Sequence, residues 1–142
     1  MILSVIKYNS PEYESMCELR DKILRIPIGL RLTKAETERD ENDILIAALE
    51  NEKAIACCIL TQLDSDSVQL RQMAVETGYQ HTGMGTKLLH FAEEIAKNSN
   101  YTYIKLHARK VAVDFYKKEN YTAIGNEFTE VGIPHFEMIK TI

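Results

Sequence analysis

The chain has 142 residues, a net charge of −4, 45% hydrophobic residues and 27% charged ones. That is length enough for one core and a composition ordinary for a globular protein, so residues 1–142 are expected to form a single domain. The charge has the wrong sign for general nucleic-acid binding. No apolar run approaches the ~20 residues that span a bilayer. Residues 2–6 are too short for the apolar centre of a signal peptide, so no membrane partner and a cytoplasmic location are expected.

Residues 2–8 alternate loosely and predict a first strand. Ser10 and Pro11 have the residue types of a helix N-cap and first helical position, predicting a helix over 12–24 with Met16, Leu19 and Ile23 on its apolar side. Pro27 and Gly29 break it. The stretch 31–43 contains Glu36, Glu38, Asp40, Glu41 and Asp43. It reads either as a solvated loop or short helix, or as a rim that attracts a cationic amine. Two apolar strands follow over 43–49 and Lys53–Gln62, joined by a short turn at Glu50, Asn51 and Glu52.

Ser67–Val75 is the strand around which the rest is organised. Val68 and Leu70 lie on one face, Met73 and Val75 on the other, so the period of two slips by one residue, as a β-bulge makes it do. Such a bulge turns the strand away from its neighbour and opens a slot. A helix over 83–99 comes next, with an apolar stripe of Leu88, Leu89, Ala92, Ile95 and Ala96. A strand over 101–108 should run parallel to the bulged one through a right-handed crossover. A short helix over 111–119 has Ala112, Phe115 and Tyr116 on its inner side and ends at Asn120, a residue that tolerates the left-handed conformation. Strands over 121–127 and 135–139, with Gly132, Ile133 and Pro134 in the turn between them, complete a mixed sheet of the α/β class.

The loop before the 83–99 helix carries Gly83 and Gly85. The first turn of a helix has N–H groups without internal acceptors and the positive end of the dipole, and glycines let a phosphate reach them. The dipole supplies only about 0.3–1 kcal/mol per charge, so direct N–H bonds must carry most of the grip. Two better-known loops do not fit. Gly78 and Gly83 have P-loop spacing, but Met84 occupies the lysine position, and Leu88 stands where a dinucleotide fingerprint needs its third glycine. Cys17, Cys57 and Cys58 are odd in number and form no CxxC, which predicts reduced packing residues. His81, His90, His107 and His135 lack metal-ligand spacing, and no metal is expected.

Gln80, His81, Thr82, Gly83, Met84 and Gly85 match the pattern [RQ]xxGx[GA], and the chain from about Asp43 onward resembles the GNAT superfamily of acyl-CoA-dependent N-acyltransferases. A second motif lies at the right distance: Ala112, Tyr116, Asn120 and Tyr121 follow AxxxYxxxGF with Asn and Tyr in place of Gly and Phe. Many members carry Asn three residues before the alanine; this chain has Arg109, so that residue's contacts do not transfer. The stretch 127–135, with Met138 after it, is similar to the ElaA-like branch.

The resemblance implies a GNAT fold with splayed central parallel strands and helices on both faces. It further implies acetyl transfer from acetyl-CoA to a primary amine of a small molecule or protein, with those two as partners and room for a homodimer. Gln80 through Gly85, with Thr86, would hold the pyrophosphate. Met73, Ala74 and Val75 would offer backbone groups to the pantetheine, with Ala112 and Phe115 beside it. Tyr116 would meet the leaving thiolate. An alkylammonium is only ~1 part in 10³ neutral at pH 7, a penalty of roughly 4–5 kcal/mol, so a proton acceptor is needed. His107 and His135 are the candidates, with Glu76 a weaker one, and Arg109 and Lys110 are expected near the cofactor. The alternative is a GNAT-like domain that binds CoA or another phosphorylated ligand without catalysis; transfer of a longer acyl group is a third option.

Overall fold

Strand β1 (Ile2–Ile6) leads to Ser10, whose hydroxyl accepts from the Tyr13 amide and caps helix α1 (Pro11–Arg20) in this computed structural model, which describes residues 1–142. The helix does not run straight on to residue 24 as its periodicity suggests. It widens into a π-turn over Asp21–Arg25, where the Ile26 amide reaches the Asp21 carbonyl, and then tightens at Ile26–Ile28 before Gly29 (φ 76°) ends it. Such single wide turns re-aim the side chains they carry, here Leu24 and Arg25.

A capping box between Thr33 and Glu36 starts the short α2 (Lys34–Glu38), and a tight turn over Arg39–Asn42 follows. Strands β2 (Ile44–Glu50) and β3 (Lys53–Gln62) form a hairpin whose two turn residues, Asn51 and Glu52, both have positive φ (50° and 66°). That is the handedness a tight hairpin demands. β4 (Ser67–Val75), α3 (Met84–Asn98), β5 (Tyr103–Arg109), α4 (Val113–Lys118), β6 (Thr122–Glu130) and β7 (Ile133–Thr141) complete the chain. Asn120 is left-handed (φ 72°), and the Tyr121 amide returns to the Tyr116 carbonyl to close α4. The last hairpin is longer than its sequence pattern suggests, and its turn falls at Val131 and Gly132.

The seven strands lie in the order β1-β2-β3-β4-β5-β7-β6. All pairings are antiparallel except β4 with β5, which the α3 crossover makes parallel. Helices cover both faces. α3 and α4 pack Met84, Leu88, Leu89, Ala92, Ala96 and Tyr116 against one face, while α1 packs Tyr13, Met16 and Leu19 against the other. A 15-residue helix is marginal alone. Each large apolar side chain buried on α3 contributes roughly 1.5–3 kcal/mol, so packing rather than propensity holds it.

The stretch 31–43 is mostly exposed and holds a short helix, as one reading of its sequence expects, but Asp40 and Asp43 depart from both readings. Asp40 is neither solvated nor available to a cation: its side chain is 0% exposed and paired with Arg20 and Arg71 at 2.7 Å each. Asp43 is nearly as buried and binds Arg71 at 2.8 Å. Glu36 is taken by Arg25, and Glu38 faces Lys34. Asp40 and Asp43 are thus the inner members of a set of ion pairs, while Glu38 and Glu41 stay exposed.

Candidate active site

The site is built where β4 leaves β5. Their pairing extends from Ser67 opposite Tyr103 to Leu70 opposite Leu106 and stops there. Beyond that point each strand keeps its outer partner, β4 on β3 and β5 on β7, so the sheet splits along its middle. The cause is the bulge. Between Cys57 and Ile59 of β3, β4 advances from Ala74 back to Arg71, one residue more than its partner, and Gln72 takes φ 56°. The Glu76 amide bonds the Ile55 carbonyl on β3, so by alternation the backbone groups of Met73 and Val75 point the other way, into the split.

An ionic network pins the bulge. Arg71 donates from Nη2 to Asp40 and Asp43 and from Nε to Thr61 Oγ1 at 2.8 Å. Arg20 bonds Asp40 through Nη1 and Gln72 Oε1 through Nε at 3.3 Å, and the Tyr13 hydroxyl donates to Asp40 at 2.7 Å. Burial alone would raise the Asp40 pKa; the hydrogen bonds from Tyr13 and Arg20, and the Arg20 charge, outweigh it and hold it below the ordinary value.

At one end of the split lies the glycine loop. None of the N–H groups of residues 81–86 donates to a protein acceptor, and Gly83 caps α3 with no side-chain bond. His81 and Gly83 are both left-handed (φ 62° and 84°), and residues 81–83 are exposed. Successive amides in such a turn form an anion-binding concavity at a helix N-terminus. Gln80 Nε2 donates to the Val75 carbonyl at 2.9 Å, tying the loop to the end of β4, and Thr82 Oγ1 donates to the Tyr79 carbonyl. A Cβ on Gly85 would touch the Phe115 ring at 3.5 Å, so Phe115 lies against the first turn of α3.

At the other end the split opens into a cavity of about 390 Å³. Its walls are β4 around Met73, β5 around Ala108, the π-turn of α1, and the β6–β7 turn; Ala112 and Tyr116 line it as well. Tyr116 is buried between Phe115 and Tyr121, with ring centroids 5.0 and 5.6 Å away, and its hydroxyl donates to Met73 Sδ at 3.5 Å. Burial pushes its pKa well up, so the phenol stays protonated at neutral pH.

Both candidate histidines reach the same wall. His107 Nδ1 is 3.0 Å from Glu130 Oε1, and its ring meets Phe128 edge-on. His135 is 4% exposed and stacks on Phe128. Its Nδ1 lies 2.8 Å from the Ile133 carbonyl, which only accepts, so that nitrogen carries a hydrogen. Its Nε2 is 3.6 Å from Glu130 Oε2. Glu76 lies apart from this group and pairs with Lys22. Arg109 also lines the cavity and donates to the Leu24 carbonyl at 3.0 Å, while Lys110 faces Glu127 outside it. Glu130, Arg25 and Arg39 are cavity residues that the sequence pattern did not single out; charged residues in turns carry no local signal of a shared wall.

The architecture is thus a mixed sheet whose one parallel pair is half open, with a glycine-started helix beside the opening. The chain belongs to the GNAT acetyltransferase family: the family model described as an acetyltransferase (GNAT) domain matches residues 30–142. The Bacillus subtilis (strain 168) protein YyaT is 36% identical over 76 residues, 54% of this chain, and the match spans about half (51%) of that relative. The N-acetyltransferase YjcF of the same organism is 24% identical over 96% of this chain and 98% of its own length. Among solved structures, an aminoglycoside 6'-N-acetyltransferase complexed with coenzyme A superposes with TM-score 0.84 at 19% identity, covering 99% of this chain and 97% of that one. Escherichia coli ElaA gives 0.85 at 14% identity with 99% of each chain covered. No helix is long and apolar enough to cross a membrane.

Proposed function

We propose that the chain transfers an acetyl group from acetyl-CoA to a primary amine by direct attack through a tetrahedral intermediate. The observation that carries the reading is the halt of β4–β5 pairing at Leu70 and Leu106, with bare amides at one end of the gap and a cavity at the other. In this reading the N–H groups of residues 81–86 bind the diphosphate and the gap-facing backbone groups of the Met73–Val75 stretch, other than the Val75 carbonyl that Gln80 holds, receive the pantetheine, with Ala112 and Phe115 beside it. The thioester lies near Tyr116. A relative in fold bound to coenzyme A supports the choice of co-substrate.

The amine nitrogen attacks the thioester carbon; the C–N bond forms, and the C–S bond breaks as the intermediate collapses. The oxyanion needs a fixed donor, and a strand N–H facing the gap supplies one. The thiolate leaves toward the Tyr116 hydroxyl. A thiol has an ordinary pKa near 8.5, and Tyr116 lies above the ordinary tyrosine value, so full proton transfer from the phenol is uphill by more than about 2 kcal/mol. Tyr116 therefore serves as a hydrogen-bond donor to sulfur, and the proton that sulfur finally takes comes from the amine by way of the base. His135 suits the base role better than His107, since its anchored Nδ1–H leaves Nε2 as the acceptor.

The test is a binding and turnover assay. Acetyl-CoA at 100 times its Kd should stabilise the fold by about 2.7 kcal/mol and should compete with CoA. Thiol release should then depend on an added amine. If millimolar acetyl-CoA neither raises the melting temperature nor competes with CoA, the reading is wrong. Binding without turnover across a broad amine panel would leave a CoA-binding module instead.

A further inference from the structure

The cavity has an unbalanced charge in an acidic chain. Its lining contains four arginines, Arg25, Arg39, Arg71 and Arg109, against two glutamates, Glu36 and Glu130. Of the two carboxylates, only Glu36 is held by an arginine. Glu36 holds Arg25 at 2.9 Å, and Glu130 sits between His107 and His135. Arg71 is consumed by Asp40, Asp43 and Thr61.

Arg109 is different. Its guanidinium is half-buried, forms no ion pair, and spends one Nη2 hydrogen on the Leu24 carbonyl. It stands close enough to Arg25 for the two charges to repel, and burial together with that repulsion lowers its pKa. Arg39 is exposed at the cavity mouth, and its side chain forms neither an ion pair nor a hydrogen bond. A guanidinium offers five donors in a planar fork matched to carboxylate or phosphate. A half-desolvated one with a like charge beside it and no counter-ion is a site that lacks its anion.

We propose that the acceptor amine is a small molecule that also carries an anionic group, a carboxylate or a phosphate, and that Arg109 holds this group while Arg39 draws it in at the mouth. The proposal rests on the acetyl-transfer reading and narrows it. A cavity of about 390 Å³ takes a compact molecule rather than a folded chain. A polycationic acceptor meets one carboxylate not held by an arginine, Glu130, against the unpaired side chains of Arg39 and Arg109.

The experiment compares acetyl transfer to a matched series: an ω-amino carboxylate, its primary amide, an aminoalkyl phosphate and an aminoglycoside. The wild-type protein should favour an anionic amine over the amide by about tenfold or more in kcat/KM, mostly through KM. The aminoglycoside should be the poorest. The carboxylate and phosphate arms separate the two sources of the anion. Arg109→Gln should bring the anionic-to-amide ratio towards one, and Arg109→Lys should restore part of it. A wild-type ratio near one, or a preference for the aminoglycoside, overturns the proposal while leaving acetyl transfer in place, and this arm needs no variant to fold. If no amine is acetylated, acetyl transfer itself fails. The anion site is then read by calorimetric titration of the ω-amino carboxylate and its amide into the CoA-loaded protein: carboxylate-selective binding lost in Arg109→Gln supports it, and equal binding overturns it.

Discussion

The Tyr116 hydroxyl donates to Met73 Sδ at 3.5 Å and to no other protein acceptor. A thioether accepts weakly, so this buried donor is held in place without being satisfied. It points from the core face of α4 to the bulge of β4, the place where the sheet opens. A hydroxyl kept for packing would have found an oxygen, as Tyr121 has in Glu93 at 2.8 Å.

Tyr116→Phe should therefore separate chemistry from structure. The lost O–H···S contact is weaker than the ~1 kcal/mol of an ordinary hydrogen bond, so the unfolding midpoint should barely move. Turnover should fall on the order of 10²-fold while the Kd for CoA is kept. Steady-state kinetics with calorimetric titration of CoA checks this, and an unchanged kcat would remove Tyr116 from the reaction.

Substitution in the glycine loop should do the reverse. Gly83 has φ 84°, where an L side chain costs about 1–2 kcal/mol, and it is the residue from which the free amides of α3 begin. Gly83→Val should lower the melting temperature by a few degrees and weaken CoA by about tenfold or more. Gly78→Ala is the control. It lies in open space without a positive φ, and it should leave both quantities within error.

How much of this could be read in the chain depends on the range of the forces involved. The bulge was legible because a slip of hydrophobic phase, from Val68 and Leu70 to Met73 and Val75, is written within eight consecutive residues. The loop from Gln80 to Gly85 and the spacing of Ala112, Tyr116 and Asn120 were equally local, and they led to the family. Asp40 was not legible. Its neighbours are acidic and polar, the mark of a solvated face, whereas its burial is set by Arg20 and Arg71, 20 and 31 residues away. The reach of Arg25 into the cavity depends on a π-turn that no helical periodicity announces.

Asp40 carries a stability prediction with a pH signature. Asp40→Ala leaves the fully buried Arg20 without its carboxylate and takes one from Arg71, which should cost about 3–5 kcal/mol in urea unfolding. That is a large share of a total of roughly 5–15 kcal/mol. Activity should fall too, since the same network holds Gln72 at the bulge. The carboxyl is depressed in the folded state, so its contribution is complete above the ordinary value of 3.8 and is lost as the pH falls below that through the folded value. Asp40→Asn should lack this acid limb and start from a lower plateau.

The two histidines allow a last discrimination. They share Glu130, each packs its ring against Phe128, and either could take the proton of the amine. Their other contacts differ. His135 is buried, and its Nδ1–H is committed to the Ile133 carbonyl, so Nε2, 3.6 Å from Glu130 Oε2, is the nitrogen left to accept. His107 is more open, and carboxylates of Glu130 and Glu137 lie near its two nitrogens, an arrangement that orients it without reserving a lone pair. His135→Gln should thus lower kcat/KM on the order of 10²-fold, and His107→Gln should lower it less than about tenfold, with CoA affinity kept in both. The ratio of the two losses is the informative quantity, because the variants remove neighbouring rings of the same kind from the same wall. Were the His107 variant the more damaged of the two, the base would be His107, and Glu130 would act as the group that orients it.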